Sequence, residues 1–212
     1  MNDPIFNKSL IYMCENNPDG SLGLIINKPM VSQNAEDILQ KTGLEEIQPA
    51  PEVYFGGPVN IGMGLILHDA NYEIEGTLTV SKAIALTSNK QIISDLKEGE
   101  GPQQFRFSMG YTGWGQGQLE REIENGDWLL MPADADFIFS IPDIDKWKVA
   151  ATQFGIDISD LGGAAGIAWS VFPMDDPVLI PDSNKELLKE CHVETFRASG
   201  KGGQHVNKTE SA

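Results

Sequence analysis

Cysteine is scarce: Cys14 and Cys191 are the only two in 212 residues. They lie too far apart to staple a small secreted scaffold and match no zinc spacing, so reduced thiols in a cytoplasmic protein are the expectation. Histidine is nearly as sparse, and His68, His192 and His205 have no HxH or HxxxH partner. Neither a metal nor another cofactor is therefore expected. Positive charge is also short, with 15 Lys and Arg against 31 Asp and Glu and a formal net charge of -16. A chain of that sign is a poor ligand for phosphate backbones or anionic lipid, which argues against DNA contact and against a membrane surface. Long apolar runs are missing too: LGLII and GLIL are strand-sized, well below the ~18 residues of a membrane span. The opening MNDPIFNKSL has neither the basic start nor the apolar core of a signal peptide. What remains is 41% apolar and 22% charged residues, the composition of a folded globular chain.

Apolar runs at residues 9–14 and 22–27 flank NNPDG, where Pro18 suits a turn and Gly20 can take positive φ, so an antiparallel hairpin is predicted. A short helix should follow, with Asn34 as N-cap, Ile38 and Leu39 as its apolar face and Gly43 past its end. Residues 53–87 alternate strand-like runs (VYF, GLIL, TLTV, AIAL) with Gly, Pro and Asn, which predicts several strands. Ser88 and Gln91 have capping-box spacing ahead of Ile92, Ile93 and Leu96, and Gly99 ends this second helix. QQFRFSMGYTGW reads as a strand entering a glycine-rich corner, and QLEREIENG as a helix bearing Leu119 and Ile123. DWLLMPA and DFIFSIP are read as two further strands, and IDKWKVAATQF puts Ile144, Trp147, Ala151 and Phe154 on one helical face. Strands and helices mixed without a regular βαβ alternation give an α+β class, with no internal repeat.

Few residues in this stretch offer chemistry. Gly110, Gly113, Gly115 and Gly117 precede a helix as an anion cradle would, but no Lys-Ser/Thr pair accompanies them, and Glu120, Glu122 and Glu124 would repel a phosphate. A tight corner in which Trp114 packs is the simpler reading. Asn27, Lys28 and Pro29 close one strand, and Gly56, Gly57 and Pro58 close another. A binding cleft is predicted from Asn27, Lys28, Gly56, Gly57 and the loop around Trp114, with Lys28 offered to an acidic ligand. The pairs Asp134 with Asp136 and Asp143 with Asp145 are read as helix caps and solvated turns rather than as an acid/base couple. No G-x-S-x-G elbow and no Cys-His signature appears.

Three blocks in this order, SLIYMCENNPDGSLGLIINKP, YFGGPV and GYTGWGQGQLEREIENGDWL, strongly resemble the YqgE/AlgH family of bacterial proteins over about residues 3–168. The resemblance implies an α+β fold built on a large, strongly bent mixed β-sheet with flanking helices. It implies no particular activity, since none is established for the family, although a role in transcriptional regulation is attached to the name. Family members normally begin with a strand upstream of the block matched here by MNDPIFNKSL, and its absence predicts an uncovered sheet edge.

Composition shifts between Gly162 and Asp182, where GGAAGIA is small and flexible and WSVFPMDDPVLIPD holds three prolines. A linker over residues 169–182 is predicted, after a first domain of residues 1–168. Beyond it, ETFRASGKGGQHVNKTESA resembles the peptidyl-tRNA hydrolysis motif of class I release factors and their small codon-independent relatives. By that resemblance Gly202, Gly203 and Gln204 are catalytic, with Gln204 placing the attacking water, and Arg197, Lys201 and Lys208 meet rRNA phosphates. In those families the block continues into strands and a helix that close the domain. Residues 183–212 are therefore expected to be a partial, poorly ordered extension, inactive as it stands, and the chain reads as two neighbouring frames joined. The ribosome and peptidyl-tRNA would be partners only of a complete domain.

The reading that results is a cytoplasmic YqgE/AlgH-like domain with a regulatory or ligand-binding role, carrying a truncated GGQ segment. Its rival is a peptidyl-tRNA ester hydrolase of termination or ribosome rescue. A third reading is a partner-binding module that uses the open sheet edge.

Overall fold

The computed structural model describes residues 5–30, 33–153 and 168–173. Strands β1 (Leu10–Asn17) and β2 (Gly20–Ile25) form the expected antiparallel hairpin, with Tyr12 opposite Leu24. Helix α1 (Gln33–Thr42) follows and stops at Gly43, whose φ of 77° is left-handed. Asn34 lies inside that helix rather than at its cap. After a 3-10 turn (Leu44–Glu46) come the predicted strands, β3 (Val53–Phe55), β4 (Val59–Asp69), β5 (Leu78–Thr79) and β6 (Ile84–Thr87). Helix α2 (Gln91–Glu98) ends at the left-handed Gly99. Its first turn is held by Asn89, whose Oδ1 accepts the Gln91 N–H at 3.0 Å, in place of the Ser88 and Gln91 box.

The remaining elements are β7 (Phe105–Gly115), α3 (Gln118–Glu124), β8 (Trp128–Ala133), α4 (Ala135–Phe139), α5 (Asp143–Gln153) and β9 (Ala168–Pro173). DFIFSIP is thus a helix, not a strand. Its FIF run lacks a two-residue alternation, and the Asp134 carboxylate accepts the Phe137 N–H at 2.8 Å, an N-cap that commits the chain to a turn. The glycine run is not a corner either: β7 continues unbroken through Gly110 and Gly113, and the turn comes at Gly117, φ 64°.

The nine strands of the described residues join one curled, half-barrel mixed sheet of order β5-β6-β4-β7-β2-β1-β9-β8, with β3 also paired to β7. β9 lies parallel between β1 and β8, with Ser170 opposite both Ile11 and Leu130. The first residues of the predicted linker therefore belong to the sheet. β1 has neighbours on both edges, and among the described residues the outer strands are β5 and β8.

Period-two alternation divides the core. Leu10, Tyr12, Leu24, Leu65 and Leu67 pack with Phe137, Ile138, Ala150 and Ala151 of α4 and α5. From intervening positions, Ile11, Met13 and Ile25 join Trp114, Trp128, Leu119 and Ile123, while Val53, Ile66 and Phe107 join Leu44 and Ile92. The buried face of α5 departs from expectation: Ile144 is 88% exposed, and Lys146 is buried alongside Ala150 and Ala151.

Candidate functional site

β7 is bordered by β4 on one edge. Its other edge is shared by β3 along the first half and β2 along the second, with Val53 opposite Phe107 and Gly23 opposite Thr112. Because β3 and β4 are consecutive in sequence, residues 56–58 must carry the chain across the face of β7. No side chain fits at Gly56 or Gly57 in that crossing. A Cβ at Gly57 would overlap the Tyr111 carbonyl, one at Gly56 the Gly110 carbonyl, and one at Gly110 the Gly57 carbonyl. Gly57 (φ 151°) and Gly110 (φ 69°) also hold backbone conformations that favour glycine. The crossing forces β4 outward: between Val59, opposite Tyr111, and Gly64, opposite Met109, residues 60–63 bulge against Gly110 alone. Ile61 in this bulge is 63% exposed and Val59 36%. Past Val59, residues 112–115 of β7 pair with β2 on one edge and with no strand on the other among the described residues.

A buried ion cluster lies on the sheet face that carries α4 and α5. Arg106 of β7 points there because its neighbours Phe105 and Phe107 take the other side. Its Nε donates to the Ile138 carbonyl at 2.8 Å, and Nη1 donates to the Ile26 carbonyl at 3.2 Å and to Asp143 Oδ1 at 2.9 Å. The guanidinium carbon sits 4.5 Å from the centre of the Tyr54 ring. Lys146, wholly buried, donates to Asp143 Oδ1 at 3.0 Å and to the Ile141 carbonyl. Burial, and after it the Arg106 cation, push the Lys146 pKa below the usual lysine value, while Asp143 and Glu52 pull it back. The Tyr54 hydroxyl stands 2.7 Å from Glu52 Oε2 and 2.8 Å from Asp143 Oδ2, and burial followed by the Glu52 contact raises its pKa. One carboxylate, Asp143, thus ties α5 to β3 and β7.

Two other polar groups are fully engaged. His68 Nδ1 lies 2.8 Å from the Asp69 carbonyl, which can only accept, so the proton is assigned to Nδ1. Nε2 then accepts from the Thr87 hydroxyl at 2.9 Å, Thr87 accepts from Thr77 at 2.8 Å, and Thr77 accepts from the Ile74 N–H at 3.2 Å. Every proton in this chain has a destination, and burial lowers the His68 pKa below 6.5 against the pull of Asp69. Glu122 Oε2 accepts from both indoles, Trp114 Nε1 at 2.9 Å and Trp128 Nε1 at 2.8 Å, whose rings meet edge-on at 5.6 Å. Among the described residues no group of His, Cys, Asp and Glu gathers to hold a metal, and no helix is long and apolar enough to cross a membrane.

The predicted cleft residues meet in part. The Ile25 N–H donates to the Gly56 carbonyl at 2.9 Å and the Phe55 N–H to the Lys28 carbonyl at 3.0 Å, so these strand ends lie side by side, next to Gly57 on the crossing. Their polar side chains are used internally. Asn27 Oδ1 accepts the Leu10 N–H and its Nδ2 donates to the Lys8 carbonyl, both at 2.8 Å, and the Lys28 ammonium donates to the Ile5 carbonyl. Trp114 is buried against Trp128 rather than lining a cleft. Gly202, Gly203, Gln204, Arg197, Lys201 and Lys208 lie outside the described residues. Sequence reasoning missed Arg106, Tyr54 and Lys146 and took Asp143 for a cap or solvated turn. The available signal was FRFSM, a cation inside an apolar strand, which must find a buried acceptor.

A curled mixed sheet, crossed by its own chain at paired glycines and carrying helices on both faces, defines a class of small α+β domains. The AlgH-like family model, a domain of unknown function, matches residues 1–159. A UPF0301 protein of Cupriavidus metallidurans is 41% identical over 171 residues, covering 79% of this chain and 90% of its own length. A second, from Methylococcus capsulatus, is 42% identical over 170 residues, covering 78% and 89%. The chain belongs to the AlgH-like family. The solution structure of AlgH from Pseudomonas aeruginosa aligns with a TM-score of 0.60 at 32% identity, covering 74% of this chain and 84% of that one. A crystal structure from Corynebacterium diphtheriae, 20% identical with a TM-score of 0.58, shares the fold. These comparisons give the release-factor resemblance of residues 174–212 no support.

Proposed function

We propose that this protein is a cytoplasmic regulatory module that receives an extended segment of a basic partner protein along the open edge of β7. The observation that carries the reading is the unpaired run of residues 112–115 beside the exposed apolar bulge at Val59 and Ile61. A strand added there gains main-chain hydrogen bonds from β7 and apolar contact with Ile61, and Gly113 and Gly115 present no side chain to obstruct it. Glu120 and Glu124 of α3, which begins just past this edge, and the net charge of -16 favour a basic segment. Regulation of this kind works through protein contact and needs no grip on DNA. The peptidyl-tRNA hydrolase alternative depends on Gly202, Gly203 and Gln204, and no observation favours it.

The test is an NMR titration of isotope-labelled protein with a capped six-residue peptide alternating valine and lysine. Saturable amide shifts and slowed amide exchange confined to residues 59–63 and 111–115, lost in Ile61→Asp, are expected. No saturable shift, shifts centred elsewhere, or self-association of the protein through the same amides without peptide would each overturn the reading.

A further inference from the structure

The chain leaves β9 at the end of the sheet where β7 stands open. β9 runs parallel to β1, β2 runs against β1 and β7 runs against β2, so Pro173 and Gly115 finish at the same end, beside the turn between β1 and β2. The Gly115 N–H is taken there by Gln118 Oε1 at 3.0 Å. This leaves Gly113, which is exposed, at the centre of the open run.

Length and charge single out one occupant. A strand added beside β7 lies four strand spacings from β9, about 20 Å, and residues 174–191 can span about 60 Å when extended. Arriving from the Pro173 end, such a strand enters at Gly115 and runs antiparallel to β7. Residues 193–198, VETFRA, hold Val193, Thr195 and Phe196, side chains that favour strands. They also open the only place in the chain where three cations, Arg197, Lys201 and Lys208, follow one another with no acidic residue between them. The rim of the seat has the opposite sign. Asp19 adjoins Gly20, which pairs with Gly115, and Glu120 and Glu124 of α3 outnumber Arg121.

We propose that residues 193–198 of this same chain are the resident occupant of the open β7 edge, laid antiparallel beside residues 112–114 with Phe196 against Ile61 of the bulge and the three cations along the acidic rim. The inference rests on the reading of this edge as a seat for a strand, and it adds a regulator: an external basic segment binds only by displacing the chain's own. Tethering gives the resident segment an effective concentration of about 1 mM, so an intrinsic dissociation constant of about 0.1 mM weakens any competitor about tenfold.

The test places a thiol-reactive nitroxide on Cys191, two residues before the segment, in the isotope-labelled 212-residue chain. Cys14 does not compete for the reagent, because it is buried and burial pushes its thiol pKa up. Paramagnetic broadening confined to amides 59–63 and 111–115 is expected, and Thr195→Pro combined with Arg197→Glu should abolish it. The valine–lysine peptide should bind that variant about tenfold more tightly than the native chain. Broadening spread evenly over the surface overturns the proposal. So does broadening that a separate nitroxide-bearing copy produces on an isotope-labelled one, which would make the occupant a second molecule. Equal peptide affinity for the two chains also overturns it while leaving the edge as a seat for a partner strand. Confined broadening that the variant abolishes, with no peptide binding to the variant, upholds the resident segment and overturns the partner reading.

Discussion

A methyl group at position 57 meets the backbone of Tyr111, which cannot yield without moving β7 itself. Gly57→Ala is therefore expected to lower stability by more than about 2 kcal/mol, as strain at a special backbone position does. Gly113→Ala is the control, since its Cβ would make only ordinary side-chain contacts, 3.4 Å from the Tyr111 ring and 3.8 Å from Val59, and its effect should stay within about 0.5 kcal/mol. Urea unfolding of both variants decides the matter, and equal losses would show that the crossing is not the crowded point. His68 gives a second prediction at this scale. The unfolded imidazole takes up a proton as pH falls through 6.5, while the buried one stays neutral to lower pH. The unfolded state then binds more protons, so the contribution of His68 is complete above that pH and declines as the pH is lowered toward the folded pKa, by up to about 1.4 kcal/mol per pH unit. Unfolding free energies measured between about pH 7.5 and 5.5 should show this slope in the native chain and a flatter one in His68→Gln. Identical slopes would mean that His68 is not the titrating group.

Among the elements, α3 depends most visibly on one contact. Its Glu122 serves two buried indole N–H groups, one from β7 and one from β8, and so holds the helix against both strands. Glu122→Ala leaves both donors without their acceptor and is expected to lose about 2 to 3 kcal/mol, with tryptophan emission moving to longer wavelength as water reaches the rings. Unchanged emission and stability would show that the indoles find other acceptors. Elements like α1, α2 and the first hairpin were legible because their signals are local: Gly43, Gly99 and NNPDG act on the backbone beside them. The glycines of YFGGPV and GYTG were visible as special but not as a crossing, since the strand that passes beneath Gly57 lies about fifty residues further along the chain. Asp143 shows the same limit. A carboxylate in the first turn of a helix looks like a cap, and only the placement of Arg106, 37 residues earlier, makes it the centre of an ion cluster. The side chain of Lys146 then follows Asp143 inward, which turns α5 away from its apparent apolar face and leaves Ile144 in solvent.

For the whole molecule, β9 is the strand whose loss is felt most widely. It separates β1 from β8 and pairs with both, so a chain ending at residue 167 leaves two apolar strands with open edges, whereas one ending at residue 178 keeps them covered. The shorter chain is expected to lose its cooperative thermal transition and to aggregate, the longer one to keep it. Calorimetry of the two truncations makes the comparison, and equal melting would mean that the sheet closes without β9.

The slots filled by β7 and β9 also set an order of events. β3 and β4 leave the ribosome well before β7, and three residues join them, a length that invites direct zipping into a hairpin. Such a hairpin occupies the space that β7 needs and must reopen before the sheet can form. β9 repeats the problem on a larger scale, because β1 waits for a neighbour emerging some 150 residues after it. Native topology therefore arrives late and by insertion rather than by growth from one end, and the time spent waiting is time in which bare strand edges stand exposed to other chains.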